Sequence, residues 1–393
     1  MKYYTGIFVA FYMCLLVAIS LPTLILWHAG EAWPVQNIIK HQKNHDSLWS
    51  HGLIDKEIEY KRALYLSSKP EIILLGSSRV LQYRQSFFNK PFVNLGRGIR
   101  LADLANETAF LTQNPNLKVV LYGLDYWNYS NQFCTRSKIY KDKEKAIGMN
   151  SNNILKFSNI IPREILFVWP MLREQISFLD FFYNLPDFFN NFSERKHLGL
   201  RGYYTDKGGY MNDGSNIDLN AFVNPESYVT LQENEISNII KAKAPYQLPK
   251  GQVPCLEHTQ DIVALHKNLK GHGVELIIFI PPLPPAHTGV MLVESHSSKI
   301  YNIMMSEMKK LVHEIPVENY LVSSSQVFSK REFLDSFHPG EAVSLRILQD
   351  LSYKYPFLKN YINLHYIEAN IEDCRNKMFC SNLYSIYLKS SKL

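Results

Sequence analysis

The chain has 393 residues, 46% of them hydrophobic and 20% charged, with a net charge of +6. That apolar content excludes a bulk disordered chain, and a mean hydropathy of −0.17 excludes a polytopic membrane protein. Lysines and arginines are spread along the chain rather than gathered, so the positive charge leaves no nucleic-acid footprint.

No formally charged residue lies between Lys2 and Glu31. The run Gly6 to Trp27 is long enough to cross a bilayer core, which takes about 20 residues. A cleaved signal peptide has an apolar region of roughly 7–15 residues followed by small residues. Trp27-His28-Ala29-Gly30 is a poor cleavage site. The expectation for residues 1–28 is an uncleaved, single-pass anchor in the inner (cytoplasmic) membrane, with the bilayer as a partner. Lys2 on one side and Lys40 and Lys43 on the other barely decide orientation. A lone N-terminal anchor ahead of a large soluble part normally leaves that part outside the cytoplasm, on the periplasmic or extracytoplasmic side.

Outside the anchor stand Cys134, Cys255, Cys374 and Cys380. Two disulfides, Cys374 with Cys380 and Cys134 with Cys255, and four free thiols both fit that count. No CxxC spacing and no histidine cluster occurs. No metal site and no cofactor are expected.

Residues 29–68 read as a juxtamembrane linker and a helix around Ile54–Leu66. The apolar run Glu71–Leu75 then stops at Gly76, which suits a buried parallel strand. A second run, Pro91–Leu95, ends at Gly96, and Leu101, Leu104, Ala105 and Leu111 follow at helical spacing. A third run, Lys118–Tyr122, ends at Gly123. This alternation predicts the first part of an α/β domain over 69–125.

Residues 126–256 break the rhythm and read as an insertion about the size of a domain. It holds an aromatic stretch from Phe178 to Phe192, read as insertion core, membrane-facing patch or glycan platform. It also holds a hairpin-like segment, Arg201–Gly214. The rhythm resumes over 257–355: a helix with Ile262, Leu265 and Leu269, a strand Val274–Ile280, a helix with Ile300, Met304, Met308, Leu311 and Ile315, a short strand near Val317–Val322, and a helix with Val343, Ile347, Leu348 and Leu351. The prediction is a five-stranded parallel sheet, with a tail over 356–393 packed on the domain.

Three short segments carry chemistry: Gly76-Ser77-Ser78-Arg79, Gly123-Leu124-Asp125-Tyr126 and Asp335-Ser336-Phe337-His338. The first two directly follow strands and the third follows the last strand. In an open α/β sheet such positions converge on one crevice. A serine there becomes a nucleophile when a histidine takes its proton and a carboxylate orients the imidazole. Ser78 is the candidate nucleophile, His338 the base and Asp335 the orienter. The backbone N–H of Ser78, with that of Gly96 or Gly98, would bind the oxyanion. Taken singly, Ser78 also fits a helix N-cap, Asp335 a turn cap, His338 a surface loop and Arg79 an ion-pair partner at a helix start.

These three segments, together with Asn94-Leu95-Gly96-Arg97-Gly98, resemble the four blocks of the SGNH/GDSL hydrolase superfamily. Gly76-Ser77-Ser78 stands at the Gly-Asp-Ser block, Asn94-Leu95-Gly96-Arg97-Gly98 at the second, Gly123-Leu124-Asp125 at the Gly-x-Asn block, and Asp335-x-x-His338 at the last. The order is right, and the likeness covers roughly 69–125 and 257–355. With the N-terminal anchor, the chain resembles the membrane-tethered branch that includes the D-alanine transfer protein of teichoic acid synthesis and the alginate O-acetylation proteins. The resemblance implies a flavodoxin-like three-layer α/β/α sandwich and acyl transfer onto a cell-envelope glycan, often beside a multi-pass membrane acyltransferase. An esterase, or a non-catalytic glycan-binding or assembly protein, are the alternatives.

The chain departs from the family at Ser77, where the family has Asp, and at Asp125, where it has the oxyanion-binding Asn. A carboxylate facing an oxyanion would repel it strongly in a dry site. Asp125 must therefore be protonated, turned away, or paired with a partner such as Arg79. Tyr126 or Asn128 could supply the missing donor, and with Arg79 they are the candidate substrate-binding residues.

Overall fold

The computed structural model describes residues 6–13, 26–52, 55–99, 104–131, 196–199, 201–202, 208–242, 254–293, 295–321 and 328–380. The chain divides into two compact units: Met1–Lys56 with Gly148–Asn212 and Ser390–Leu393, and Glu57–Ile147 with Asp213–Lys389. The aromatic stretch 178–192 lies outside the described residues.

In the first unit, residues 6–13 are helical, and residues 14–25 of the expected anchor lie outside the described residues. Among the described residues no helix is long and apolar enough to cross a membrane. The segment read as a juxtamembrane linker is folded instead. Helix α1 (Val35–His45) buries Val35, Ile38, Ile39 and Gln42, one face at helical spacing. Strand β1 (Leu48–Trp49) runs parallel to β5 (His197–Leu198) and antiparallel to β6 (Gly208–Tyr210). The Gln42 amide ties helix to strand by donating to the carbonyls of Ser47 at 3.0 Å and Tyr210 at 2.8 Å. Linker composition hid this because each strand is only two or three residues long and its partners lie far along the chain.

The second unit is built on an all-parallel, five-stranded sheet. Its strands are β2 (Ile72–Leu75), β3 (Phe92–Asn94), β4 (Val119–Gly123), β8 (Glu275–Ile280) and β9 (Val317–Asn319), in the order β3-β2-β4-β8-β9. Counted along the sheet's own strands this is the doubly wound order 2-1-3-4-5. Every residue of β2, β3 and β4 is buried, which is why they read as unbroken apolar runs.

Alternate strand residues serve opposite faces. Ile72, Leu74, Val119, Leu121, Ile277 and Phe279 share a core with Val343, Ile347, Leu348 and Leu351 of helix α9 (Glu341–Lys354). Helix α6 (Glu257–Gly271) packs on β8 and on α3 (Leu104–Leu111). Helices α2 (Glu57–Ser68) and α8 (Ser295–Leu311) also belong to this unit. So do β7 (Asn216–Asp218), α4 (Leu219–Val223), α5 (Pro225–Ala242) and α7 (Pro285–Val293). The region read as one insertion is thus divided between the units.

The tail packs on the domain as far as Cys380, and residues 381–393 lie outside the described residues. Leu358 and Ile362 join the core below α9, as does Ile367 of α10 (Leu364–Ile371). Cys374 and Cys380 form a disulfide. Cys255 is also disulfide-bonded, to a partner outside the described residues. The loop closed by the first bond is stitched to the start of α9. Glu341 N–H donates to Met378 O at 2.7 Å, and Cys380 N–H donates to the Glu341 carboxylate at 3.1 Å.

Lys61 of α2 is fully buried, and its ammonium donates to Asn94 O at 2.8 Å and to Gly214 O. Burial lowers its pKa from 10.5 to about 7, against the pull of Glu57 and Asp213 and with a contribution from Arg97. Below about 7 the folded chain therefore carries a buried charge at full cost. Between about 7 and 10.5 the unfolded chain binds the extra proton. The stability of the protein relative to Lys61→Met is expected to rise across that window by about 1.4 kcal/mol per pH unit. Urea midpoints measured from neutral to alkaline pH check this, and a flat difference would contradict it.

Candidate active site

Ser78 follows β2 and Asp125 follows β4, neighbours in the sheet that flank its topological switch point. The turn after β2 depends on Gly76. Its φ is +153°, and a Cβ there would sit 2.9 Å from Val80 Cγ2 and 3.0 Å from the Gly123 carbonyl oxygen. Ser77 then caps a single 3-10 turn, Ser78–Val80, its hydroxyl accepting from the Arg79 N–H at 3.2 Å. The capping role thus falls to Ser77, and the Ser78 hydroxyl is directed elsewhere.

Ser78 Oγ lies 2.8 Å from His338 Nε2. His338 Nδ1 lies 2.7 Å from Asp335 Oδ2. A carboxylate only accepts, so Nδ1 carries the proton and Nε2 offers its lone pair to the Ser78 hydroxyl. The other Asp335 oxygen accepts the N–H groups of Phe337 at 2.8 Å and His338 at 2.7 Å. Burial pushes the Asp335 pKa up, but the His338 ring and those backbone donors outweigh it and hold the carboxyl below its ordinary value. The His338 side chain keeps 30% exposure, so the relay is reachable from solvent.

Arg79 and Asp125 are both buried, and the guanidinium donates from Nη1 to Asp125 Oδ1 at 2.7 Å. Arg79 also donates from Nη2 to Pro281 O at 2.8 Å and to Pro282 O, and from Nε to Phe337 O at 3.3 Å. Its cation lies 5.5 Å from the Trp127 ring centre and 5.3 Å from that of Phe337. Of the three expectations for Asp125, pairing is the one seen. Burial holds its pKa above the ordinary carboxylate value, and Arg79, with help from Ser77 and His338, offsets only part of that rise.

The expected substrate-binding residues are placed differently. Arg79 is 1% exposed and spends its donors inside the protein. Tyr126 is 1% exposed and stands edge-on to Trp127. Asn128 is fully buried, and its amide donates to the Tyr122 hydroxyl at 3.2 Å, which meets His258 Nε2 at 3.0 Å. None of the three offers a side chain to solvent: the 3-10 turn after β4 folds Tyr126 and Asn128 inward, and Arg79 points inward from the turn after β2.

The second block also differs. Gly96 N–H donates to Asn94 Oδ1 at 2.9 Å and Gly98 N–H to Leu95 O at 2.8 Å, so both expected oxyanion donors are held in local turns. Asn94 staples this block to the first, its amide donating to Val80 O at 2.8 Å and Tyr83 O at 3.0 Å. Ser78 N–H opens its 3-10 turn, where a backbone donor has no partner within the turn itself.

Sequence reasoning missed three side chains that reach the acid–base loop: Gln232 and Glu235 of α5 and His287 of α7. His287 shortly follows the carboxyl end of β8, and that position was its only signal. No protein-family model and no curated protein matches the chain.

Proposed function

We propose that this chain is a membrane-anchored O-acyltransferase of SGNH/GDSL type that moves a small acyl group through a Ser78 acyl-enzyme onto a cell-envelope glycan. The observation that carries the chemistry is the Ser78–His338–Asp335 relay, closed at 2.8 and 2.7 Å. Ser78 Oγ attacks the acyl carbonyl of the donor and passes its proton to His338 Nε2. The tetrahedral intermediate collapses, the bond to the donor oxygen breaks, and that oxygen leaves with the proton. A glycan hydroxyl then gives its proton to Nε2 and attacks the acyl-enzyme, and Ser78 leaves reprotonated. Asp335 stabilises the imidazolium in both halves. Ser78 N–H supports the oxyanion, and such a donor is worth about 3 kcal/mol. Asp125, paired with Arg79, does not oppose the oxyanion as a lone carboxylate would.

The anchor is supported by residues 6–13, where Ile7, Phe8, Val9, Phe11, Tyr12 and Met13 are all more than half exposed. A helix apolar on every side needs lipid or protein around it. A multi-pass membrane acyltransferase is the partner that would supply acyl groups to such a site.

Water in place of the glycan hydroxyl gives an esterase through the same acyl-enzyme. The detergent-solubilised full chain, given an activated acetyl ester with and without envelope glycan, separates these outcomes. Acyl-glycan formation, with faster donor consumption when glycan is added, is expected. Acetate release that glycan leaves unchanged selects the esterase. Absence of turnover together with absence of Ser78 acylation selects a non-catalytic role.

A further inference from the structure

Four backbone groups of the acid–base loop are held by side chains from other segments, and the rest are bonded within the loop. Gln232, fully buried on α5, donates from Nε2 to Asp335 O at 2.9 Å. One helical turn on, Glu235 Oε2 accepts the Ser336 N–H at 3.2 Å. His287, fully buried on α7, meets Ser336 O at 2.6 Å through Nδ1. A carbonyl only accepts, so this nitrogen carries the proton. Arg79 donates to Phe337 O, Asp335 takes the N–H groups of Phe337 and His338, and Leu334 N–H donates to His338 O at 2.9 Å. From Asp335 O to His338 O every backbone polar group has a protein partner, while the Asp335 and His338 side chains stay part-exposed and loops normally rely on solvent for such bonds.

We propose that Gln232, Glu235 and His287 are positioning residues that clamp the Asp335–His338 loop and so aim the imidazole at Ser78. The inference rests on the acyl-transfer reading and gives the insertion a role in building the site. Asp335 and His338 come from one turn, whereas Ser78 comes from another segment. With Ser78 held by the turn after β2, the seating of the Asp335–His338 turn sets the distance across which the proton moves. A misplacement of about 1 Å is enough to cost about 100-fold in rate.

The test uses the full chain with His287→Leu, His287→Asn and Gln232→Leu. Three quantities are read: kcat and KM for an activated acetyl ester, the rate at which a fluorophosphonate labels Ser78, and the melting temperature. His287→Leu and Gln232→Leu are expected to lower kcat and the labelling rate by about 10–100-fold, with KM near wild type. His287→Asn should restore most of the loss, because the Asn amide nitrogen sits where Nδ1 does. Folded variants that label Ser78 at the wild-type rate would overturn the clamp, as would an Asn variant that falls with the Leu variant. If His287→Leu does not fold, Gln232→Leu and His287→Asn decide the matter. If wild-type Ser78 takes no label, the acyl-transfer reading itself fails, an outcome distinct from labelling that ignores the clamp.

Discussion

Ser78→Ala and His338→Ala are each expected to lower kcat/KM for an activated ester by about 10³–10⁶-fold, and the double variant to fall little further. The two act as one unit: the 2.8 Å contact makes the hydroxyl a nucleophile only while Nε2 can take its proton. Asp335→Asn should cost about 10⁴-fold by a different route. An asparagine oxygen can still accept the Phe337 and His338 N–H groups, so the loop survives. Its NH2 would then face Nδ1 and force the ring proton onto Nε2, the nitrogen that must be the base. Steady-state kinetics with intact-mass detection of the acyl-enzyme check this. Wild-type turnover in Ser78→Ala would remove the serine from the mechanism.

The central strands and the relay were legible in the sequence for the same reason. β2 and β4 are buried on both faces, so each reads as an apolar run, and glycine stops each run where the chain must turn. Residues just past those stops are at the crevice by topology, which is how Ser78 stood out. His338 and Asp335 were legible because a spacing of three residues on one loop suffices for base and orienter. What was not legible depends on long-range partners. The sequence allows Asp125 several fates, and only the packing of Pro281, Pro282 and Phe337 around Arg79 selects one. The clamp residues carry no motif, since Gln232 and His287 act through backbone atoms rather than through a recognisable side-chain pattern. Lys61 reads as one more charge on a helix, until two carbonyls from separate segments are found on it.

Asp125→Asn is expected to destabilise the protein by about 3–5 kcal/mol, even though asparagine is nearly the same size and shape as aspartate. Arg79 would keep its place between Trp127 and Phe337, and its bonds to the Pro281, Pro282 and Phe337 carbonyls, but would lose the Asp125 carboxylate bonded to it. A buried cation without its counter-charge is costly, whereas removing both partners is not. Arg79→Met combined with Asp125→Leu is therefore expected to recover part of the stability, the remainder being the cost of leaving the Pro281, Pro282 and Phe337 carbonyls without their donor, and urea unfolding of the three proteins measures it. Activity should not return with it. The double variant also removes the donor to Phe337 O, next to His338 in the chain, so a stable protein with slow Ser78 labelling is the expected result. A wild-type urea midpoint for Asp125→Asn would show that the ion pair holds nothing together. Full activity in the double variant would separate Arg79 from the aim of the imidazole.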